Sequence, residues 1–152
     1  MKRVKKNKNK VIIRKMTQKD YDPIIRLWKE GNLPYRPRGR DSNKNFQRQL
    51  QQPTSLYFIA QIDNHIIGAV LGTHDGRKGW INRLVVAPSY RKRGIANLLV
   101  KEIERQLAAR KIDIIACLIE EWNTSSMQVF QQLGYVKHTD ILYFSKRKNK
   151  YV

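Results

Sequence analysis

Three short apolar stretches bounded by turn residues occupy the middle of the chain, at residues 56–62, 66–73 and 80–86. Residues 63–65 (Asp-Asn-His) separate the first two stretches and tolerate left-handed backbone dihedrals, so they predict a hairpin turn. The glycine-containing segment 74–79 predicts a second turn. We therefore expect three consecutive strands that form an antiparallel meander.

Helix-capping residues, apolar residues at helical spacing, or both occur in four other stretches, of which the second is polar. They predict helices over residues 22–31, 42–52, 94–110 and 123–133. Asp22, Ser42 and Asn123 are the predicted N-caps, with Pro23 at the first helical position. Gly31 and Gly134 follow the last residues of two of these helices, as glycine commonly does.

Further strands are predicted at residues 11–14, 113–119 and 135–144. Residues 113–119 are the most hydrophobic, which is typical of a buried strand with parallel neighbours. The element order is β-α-α-β-β-β-α-β-α-β. It predicts one α/β (α+β) domain over residues 11–146, in which four helices flank a mixed, mostly antiparallel central sheet of about six strands.

A basic turn with one glycine, residues 91–96 (Arg-Lys-Arg-Gly-Ile-Ala), lies between the predicted strand 80–86 and the predicted helix 94–110. Free backbone N–H groups and the helix dipole attract anions at such a position. Arg91 and Arg93 add positive charge, and Gly94 lets the backbone approach an oxyanion closely. The turn therefore predicts an anion-binding site.

Three landmarks resemble the GNAT superfamily of N-acetyltransferases, and the resemblance spans roughly residues 11–146. The landmarks are the Pro-x-Tyr-Arg-x-x-Gly-x-Ala unit within residues 86–96, Asn123 after the next strand, and Leu133-Gly134-Tyr135 at the end of the last helix. The resemblance implies a sheet that is splayed between its fourth and fifth strands. It also implies transfer of an acetyl group from acetyl-CoA to a primary amine, directly within a ternary complex.

The resemblance assigns cofactor-binding residues to both walls of this cleft. The backbone of Leu84, Val85 and Val86 is implied to pair with the pantetheine arm of acetyl-CoA. Asn123 and Ser126 are implied to contact that arm from the opposite wall. The pyrophosphate is implied to lie on the turn formed by Arg91, Lys92, Arg93, Gly94, Ile95 and Ala96.

The resemblance leaves the catalytic groups open. The position where many family members have a tyrosine that protonates the thiolate is Phe130 here. Tyr135 and Tyr143 are alternative acids, although both positions also suit packing aromatics. A glutamate base often lies on the fourth or fifth strand in such enzymes, which implies Glu120 or Glu121; ordinary solvated carboxylates are the alternative.

The family builds its acceptor wall from the segment that corresponds to residues 33–41, which here is rich in proline and arginine. Tyr35, Arg38, Arg40 and Asp41 are the predicted substrate-binding residues. The arginines favour an acceptor, either a small molecule or a peptide, that carries a carboxylate or phosphate beside its amine.

The net charge of +19 adds a second hypothesis. Residues 1–10 and 147–152 are basic tails, and we expect the first to be disordered. Such tails favour weak contact with a ribosome or nucleic acid, so the alternative function is a catalytically silent GNAT-fold module that binds CoA, a polyanion, or both.

The remaining composition narrows the class of protein. The single cysteine, Cys117, is interpreted as a small core residue, and the three histidines lack ligand spacing, so no metal site is predicted. No apolar run is long enough to span a bilayer and no secretory signal is recognised, which makes a cytoplasmic location the expectation. Exposed strand edges are compatible with a homodimer.

Overall fold

The computed structural model describes residues 10–152, so the predicted N-terminal tail, residues 1–10, lies almost wholly outside the described residues. The strands are β1 (Ile12–Lys15), β2 (Ser55–Ile62), β3 (His65–His74), β4 (Lys78–Val86) and β5 (Ile114–Cys117). The helices are α1 (Tyr21–Glu30), α2 (Asn43–Leu50), α3 (Ile95–Ala109) and α4 (Thr124–Gln132). Two short 3-10 turns, Gln18–Asp20 and Pro88–Tyr90, precede α1 and the basic turn.

The five strands form one mixed sheet in the order β1-β2-β3-β4-β5. Strands β1 to β4 are antiparallel neighbours, which confirms the predicted meander, and β5 pairs with β4 in parallel. The β4–β5 pairing ends at Ile81 and Cys117, although β4 continues for another five residues to Val86. The two strands therefore separate at this point, as the predicted splay requires.

Helices cover both faces of the sheet. Helix α3 buries Ile95, Leu99, Ile103 and Leu107 against one face, and their spacing of four residues keeps them on one side of the helix. Helices α1 and α2 cover the other face with Trp28 and Phe46. This arrangement of four helices about a mixed sheet confirms the predicted fold class.

Helix α1 begins differently from the prediction. Its N-cap is Asp20 and not Asp22, so the chain becomes helical at Tyr21. The buried carboxylate of Asp20 accepts hydrogen bonds from both terminal nitrogens of Arg14 at 2.8 Å and from the backbone N–H of Thr17 at 2.7 Å. This pairing with Arg14 of β1, six residues earlier in the chain, holds the Asp20 carboxylate at the helix start.

The predicted sixth strand is absent from the sheet. Residues 136–152 have no helix or strand, and no backbone hydrogen bond joins residues 136–150 to residues 10–135. The prediction that residues 113–119 form a buried strand was also wrong in part, because β5 is short and lies at the sheet edge. The side chains of Ile114 and Leu118 are each 59% exposed.

None of the helices within residues 10–152 combines the length and apolar character needed to cross a bilayer. Over the same residues, no cluster of three or more His, Cys, Asp or Glu side chains could hold a metal ion.

Candidate active site

A pocket of about 180 Å³ lies where β4 and β5 separate, and we call it the cleft. One wall is β4 from Ile81 to Leu84, and the other is the chain from Cys117 to Glu120. Its remaining lining residues are Leu33, Pro34, Arg40, Trp122, Asn123, Ser126 and Phe130. A second cavity of about 210 Å³, between the end of β1 and the start of β2, contains none of the predicted site residues.

A β-bulge in β4 shapes the cleft. Leu71 and Gly72 of β3 pair with Arg83 and Ile81, so Asn82 is the extra residue. Because a bulge shifts the alternation of side chains by one position, Ile81 faces α3 whereas Arg83 faces α1. A regular strand would have put both side chains on the same face.

Arg83 is held on that face by the 33–41 loop. Its Nη2 donates to Oδ2 of Asp41 at 3.0 Å, and its guanidinium carbon lies 4.4 Å from the centre of the Trp28 ring. Asp41 is buried and also accepts from the backbone N–H of Arg36. Burial lowers the pKa of Arg83, and the nearby carboxylate of Asp41 opposes that shift.

The side of the cleft formed by the 33–41 loop and Arg83 of β4 thus carries more positive than negative charge. Arg40 lines the cleft and places Nε 3.6 Å from the same Oδ2 of Asp41, so two guanidiniums share one carboxylate. Of the four predicted substrate residues, Arg40 reaches the cleft, and Asp41 organises the loop behind it. Tyr35 packs against Trp28, and Arg38 is exposed outside the cleft lining.

The basic turn has the geometry of an anion site. Gly94 has φ of +76° and caps α3, and Lys92 is also left-handed, with φ of +58°. The backbone N–H groups of Lys92, Arg93 and Gly94 donate to no acceptor among residues 10–152. A Cβ at Gly94 would meet no atom within 4 Å, so the space above this backbone is open. Three backbone donors without an internal acceptor, next to open space, suit a phosphate group.

The side chains around this turn hold it in place. Arg91 donates from Nε to the carbonyl of Val86 at 3.2 Å, which ties the turn to the end of β4. The guanidinium of Arg93 lies 5.1 Å from the centre of the Tyr90 ring. Val85, Val86 and Ile95 are buried in the two cores, so these predicted cofactor residues can offer only backbone atoms.

Asn123 and Ser126 lie together on the opposite wall of the cleft. The side chain of Asn123 caps α4 by accepting from the backbone N–H of Ser126 at 3.2 Å, which confirms the predicted cap. Glu120 lines the cleft at its exposed mouth, whereas Glu121 is exposed outside the lining. The two candidate carboxylates, which alternation along an extended chain places on opposite faces, thus differ in position.

Phe130 is buried and lines the cleft at the position where a tyrosine was expected. Tyr135 does not line it: its hydroxyl donates to Oε1 of Glu104 at 3.0 Å, and its ring packs edge-on against Phe130. Burial and then Glu104 raise the pKa of Tyr135. Tyr143 lies in the exposed C-terminal segment.

Cys117 lines the cleft and is half-buried. Burial raises the pKa of its thiol to about 11, which keeps the sulfur protonated at neutral pH. The sequence interpretation as a packing residue missed this contact with the cleft.

Arg83 and Trp122 also line the cleft and were not among the predicted site residues. The sequence did contain a signal for Arg83, because a charged residue interrupts the apolar stretch 80–86. The face of the sheet on which its side chain lies was not predictable, since that depends on the bulge at Asn82.

The fold resembles several solved acetyltransferases. An aminoglycoside N-acetyltransferase, AAC(6′)-Iy, in complex with a bisubstrate analogue has a TM-score of 0.76 at 23% identity, over 91% of this chain and 99% of the other. PaiA N-acetyltransferase from Thermoplasma acidophilum, in complex with coenzyme A, has a TM-score of 0.75 at 17% identity, over 82% and 89%. Ribosomal-protein-alanine N-acetyltransferase from Brucella melitensis has a TM-score of 0.68 at 17% identity, over 91% and 99%.

The sequence model of the acetyltransferase (GNAT) family matches residues 21–135, which run from the start of α1 to the residue after Gly134. The match includes the basic turn, both walls of the cleft and the end of α4. This chain belongs to the GNAT family of acetyltransferases.

Proposed function

We propose that the protein transfers an acetyl group from acetyl-CoA to a primary amine, directly within a ternary complex. One observation carries the proposal: the cleft between β4 and β5 brings Asn123, Ser126 and Glu120 opposite β4, and the basic turn begins five residues after the end of that strand. A direct reaction needs two reactants side by side, and a cleft with two walls and an open mouth suits that need.

The chain's residues fit acetyl-CoA. The donors of the basic turn and the open space above Gly94 suit the pyrophosphate, and backbone groups of Leu84 to Val86 suit an extended amide-containing arm. Asn123 and Ser126 would contact that arm from the α4 side. When bound, acetyl-CoA supplies a thioester, which is an activated acyl donor.

We propose that Glu120 binds the acceptor amine and accepts its proton. It is a carboxylate at the mouth of the cleft, so it can hold an ammonium group and accept its proton, directly or through water. Glu121 is the other candidate base that the resemblance implies, but its position outside the cleft lining favours Glu120.

Cys117 is not proposed as an acetyl carrier, although it lines the cleft. A thiol with a pKa of about 11 is almost entirely protonated at neutral pH, and the thiolate is the reactive nucleophile. This favours attack by the amine itself and supports the ternary-complex route.

The acceptor is proposed to carry a carboxylate or phosphate near its amine. Arg40 and Arg83 share the single carboxylate of Asp41, which leaves one positive charge in excess on the loop side of the cleft. An acceptor with an anionic group towards Arg40 and an ammonium towards Glu120 would match both sides.

Acetyl-CoA binding can be tested with a matched pair of variants, Gly94→Glu and Gly76→Glu. Both glycines have positive φ and open space for a side chain, so the backbone strain is similar, but Gly76 lies in the β3–β4 turn. We expect titration calorimetry to show wild-type affinity for Gly76→Glu and at least a 30-fold loss for Gly94→Glu. Equal affinities would refute the assignment of the basic turn.

Acceptor choice can be tested by thiol release with 4-aminobutyrate against n-butylamine, and with phosphoethanolamine against ethanolamine. We expect the anionic member of each pair to have the higher kcat/KM. In Arg40→Gln, the ratio of kcat/KM between the anionic and the neutral amine should fall about tenfold. Arg38→Gln is the control, because Arg38 is exposed outside the cleft. A preference for the neutral amines would contradict the proposed acceptor class.

The silent module remains the second candidate, and Phe130 in the cleft is the observation that favours it. It predicts acetyl-CoA binding without thiol release on any amine, together with salt-dependent RNA binding through the basic tails. Phe130→Tyr would restore a hydroxyl to the cleft. Turnover by the wild-type protein would exclude a silent site.

A further inference from the structure

We propose that Arg83 is the specificity-determining residue of the acceptor site, and that its Nη1 binds a carboxylate which the acceptor carries beside its amine. The acceptor class is therefore an amine with one carboxylate, such as an amino acid, and not a phosphate ester. This inference rests on the proposed function, because it assigns the acceptor of the same cleft.

The guanidinium of Arg83 is fixed on two sides. Its carbon lies 4.4 Å from the centre of the Trp28 ring, and its Nη2 donates to Oδ2 of Asp41 at 3.0 Å. The side chain is only 12% exposed. A group that is already held in one position loses little conformational freedom when it binds a ligand, which favours a selective contact.

The other terminal nitrogen of this guanidinium, Nη1, is buried and donates to no acceptor among residues 10–152. A buried donor without an acceptor is costly, and more so when it carries charge. Burial also lowers the pKa of Arg83, although the carboxylate of Asp41 opposes that shift. An anionic oxygen beside Nη1 would supply both the missing acceptor and negative charge.

Asp41 does not supply this acceptor. Three donors converge on its Oδ2: the backbone N–H of Arg36, Nη2 of Arg83 and, at 3.6 Å, Nε of Arg40. Nη1 of Arg83 bonds to neither oxygen of the carboxylate. Within the described part of the chain, this nitrogen is therefore left for a group that comes from outside.

The charges around the Arg83 guanidinium select a monoanion. Arg40 and Arg83 carry two positive charges and Asp41 carries one negative charge, so one positive charge is in excess. One carboxylate neutralises this excess. A phosphate ester carries about 1.5 to 2 negative charges near neutral pH, and it would leave uncompensated negative charge in a partly buried site.

The cleft gives a carboxylate access to this nitrogen. Arg40 and Arg83 both line the cleft, whereas Asp41, which holds them, does not. Arg40 is the neighbour that can move aside, because its side chain is 46% exposed and its Nε lies 3.6 Å from Asp41. A carboxylate that enters there can place one oxygen on Nη1 of Arg83 and the other on the Arg40 guanidinium.

The two walls of the cleft then divide the recognition of the acceptor. Arg83 lies on the β4 wall, and Glu120 lies on the wall formed by the chain that follows β5. An amino acid with its carboxylate at Arg83 and its ammonium towards Glu120 would meet an opposite charge at each end. A neutral amine would leave Nη1 unpaired, and a site with such a buried polar group rejects analogues that lack its partner.

Thiol release with three acceptors of matched length tests this assignment: 3-aminopropionate, 2-aminoethylphosphonate and propylamine. We expect kcat/KM for the carboxylate to exceed that for the phosphonate at least tenfold. In Arg83→Lys, the ratio of kcat/KM between 3-aminopropionate and propylamine should fall at least 30-fold. The reason is that an ammonium group keeps a positive charge for Asp41 but lacks the second, fixed donor.

Arg14→Lys is the matched control for Arg83→Lys. Arg14 also pairs with a buried aspartate, Asp20, but it lies on β1, at the edge of the sheet that is far from the cleft. We expect its ratio of kcat/KM to stay within threefold of wild type.

An NMR titration gives a binding readout that does not depend on turnover. Spectra of Trp80→Phe and Trp122→Phe identify the indole N–H signal of Trp28, the remaining tryptophan, by elimination. Because the Trp28 ring lies against the Arg83 guanidinium, 3-aminopropionate should shift this signal to saturation in the wild-type protein with CoA present. Propylamine at the same concentration should leave the signal in place.

The two readouts separate failure of this inference from failure of the proposed function. Saturable binding of 3-aminopropionate without thiol release on any amine would contradict acetyl transfer but support the Arg83 site. An unchanged Trp28 signal, a preference for the phosphonate, or an undiminished carboxylate advantage in Arg83→Lys would overturn the assignment. The titration uses the wild-type side chain at Arg83, so it decides the question even if Arg83→Lys does not fold.

Discussion

Arg83 of β4 and Asp41 of the 33–41 loop are joined by a hydrogen bond of 3.0 Å between Nη2 and Oδ2, although they lie 42 positions apart in the chain. Their side chains are only 12% and 8% exposed. The pair therefore fixes the loop to the sheet at the point where the cleft opens, and it connects the packing of the molecule to its candidate chemistry.

Asp41→Asn should destabilise the protein by about 3 kcal/mol, because it leaves the buried charge of Arg83 without its counterion. Urea unfolding of the full chain measures this loss. Arg40→Gln, which removes a half-exposed partner of the same carboxylate, should cost less than about 1 kcal/mol. The double variant Asp41→Asn/Arg83→Met should recover part of the lost stability. If its loss instead equals the sum of the losses in Asp41→Asn and in Arg83→Met, the two side chains are not directly coupled.

Glu120→Gln should lower kcat/KM for acetyl transfer by about 100-fold, because the amide can neither accept the amine proton nor balance an ammonium. Glu121→Gln is a closely matched control, since it makes the same chemical change at the adjacent residue outside the cleft lining. We expect it to stay within threefold of wild type. Steady-state thiol release measures both, and equal effects would remove Glu120 from its proposed role.

Cys117 should react slowly with iodoacetamide in the folded protein. Its pKa is raised by burial from 9.0 to about 11, so the thiolate fraction at pH 8 is about 100-fold smaller than in the unfolded chain. Mass spectrometry of the alkylated protein, folded and in urea, gives the two rates. The folded rate should rise about tenfold per pH unit up to pH 10, and a plateau below pH 9 would contradict the raised pKa.

Acid should weaken the contact between β1 and α1. Burial raises the pKa of Asp20, but hydrogen bonds from Arg14 and Thr17 outweigh burial and leave the pKa below its ordinary 3.8. The stabilisation is therefore complete above about pH 3.8 and is lost as pH falls through the lower pKa of the folded state. In urea unfolding between pH 2 and 6, the free energy of unfolding should depend less steeply on pH for Asp20→Asn than for wild type. Equal pH dependence in the two proteins would show that Asp20 does not contribute to the acid sensitivity.

Much of the architecture could be predicted from local sequence. The caps Ser42 and Asn123 and the turns after β2 and β3 lie where the sequence predicts them, because each depends on hydrogen bonds within a few residues. The start of α1 was missed, because Asp20 is fixed by Arg14 of another element.

The cleft was predictable only in part. Asn123, Ser126, Leu84 and Glu120 meet there as the family resemblance implies, although their roles stay predictions. Alternation along an extended chain places Glu120 and Glu121 on opposite faces, but only the surrounding walls decide which of the two side chains faces the cleft.

Local sequence is enough to predict the order of the elements up to α4, the antiparallel meander and the basic turn, since these follow from periodicity and from backbone preferences of nearby residues. Only the folded chain shows on which face of the sheet the Arg83 side chain lies, which depends on the bulge at Asn82, and that residues 136–150 form no backbone hydrogen bond to residues 10–135. Both depend on which strands become neighbours. A strand pattern indicates that a segment can join a sheet, but packing between distant parts of the chain decides which strand becomes its neighbour.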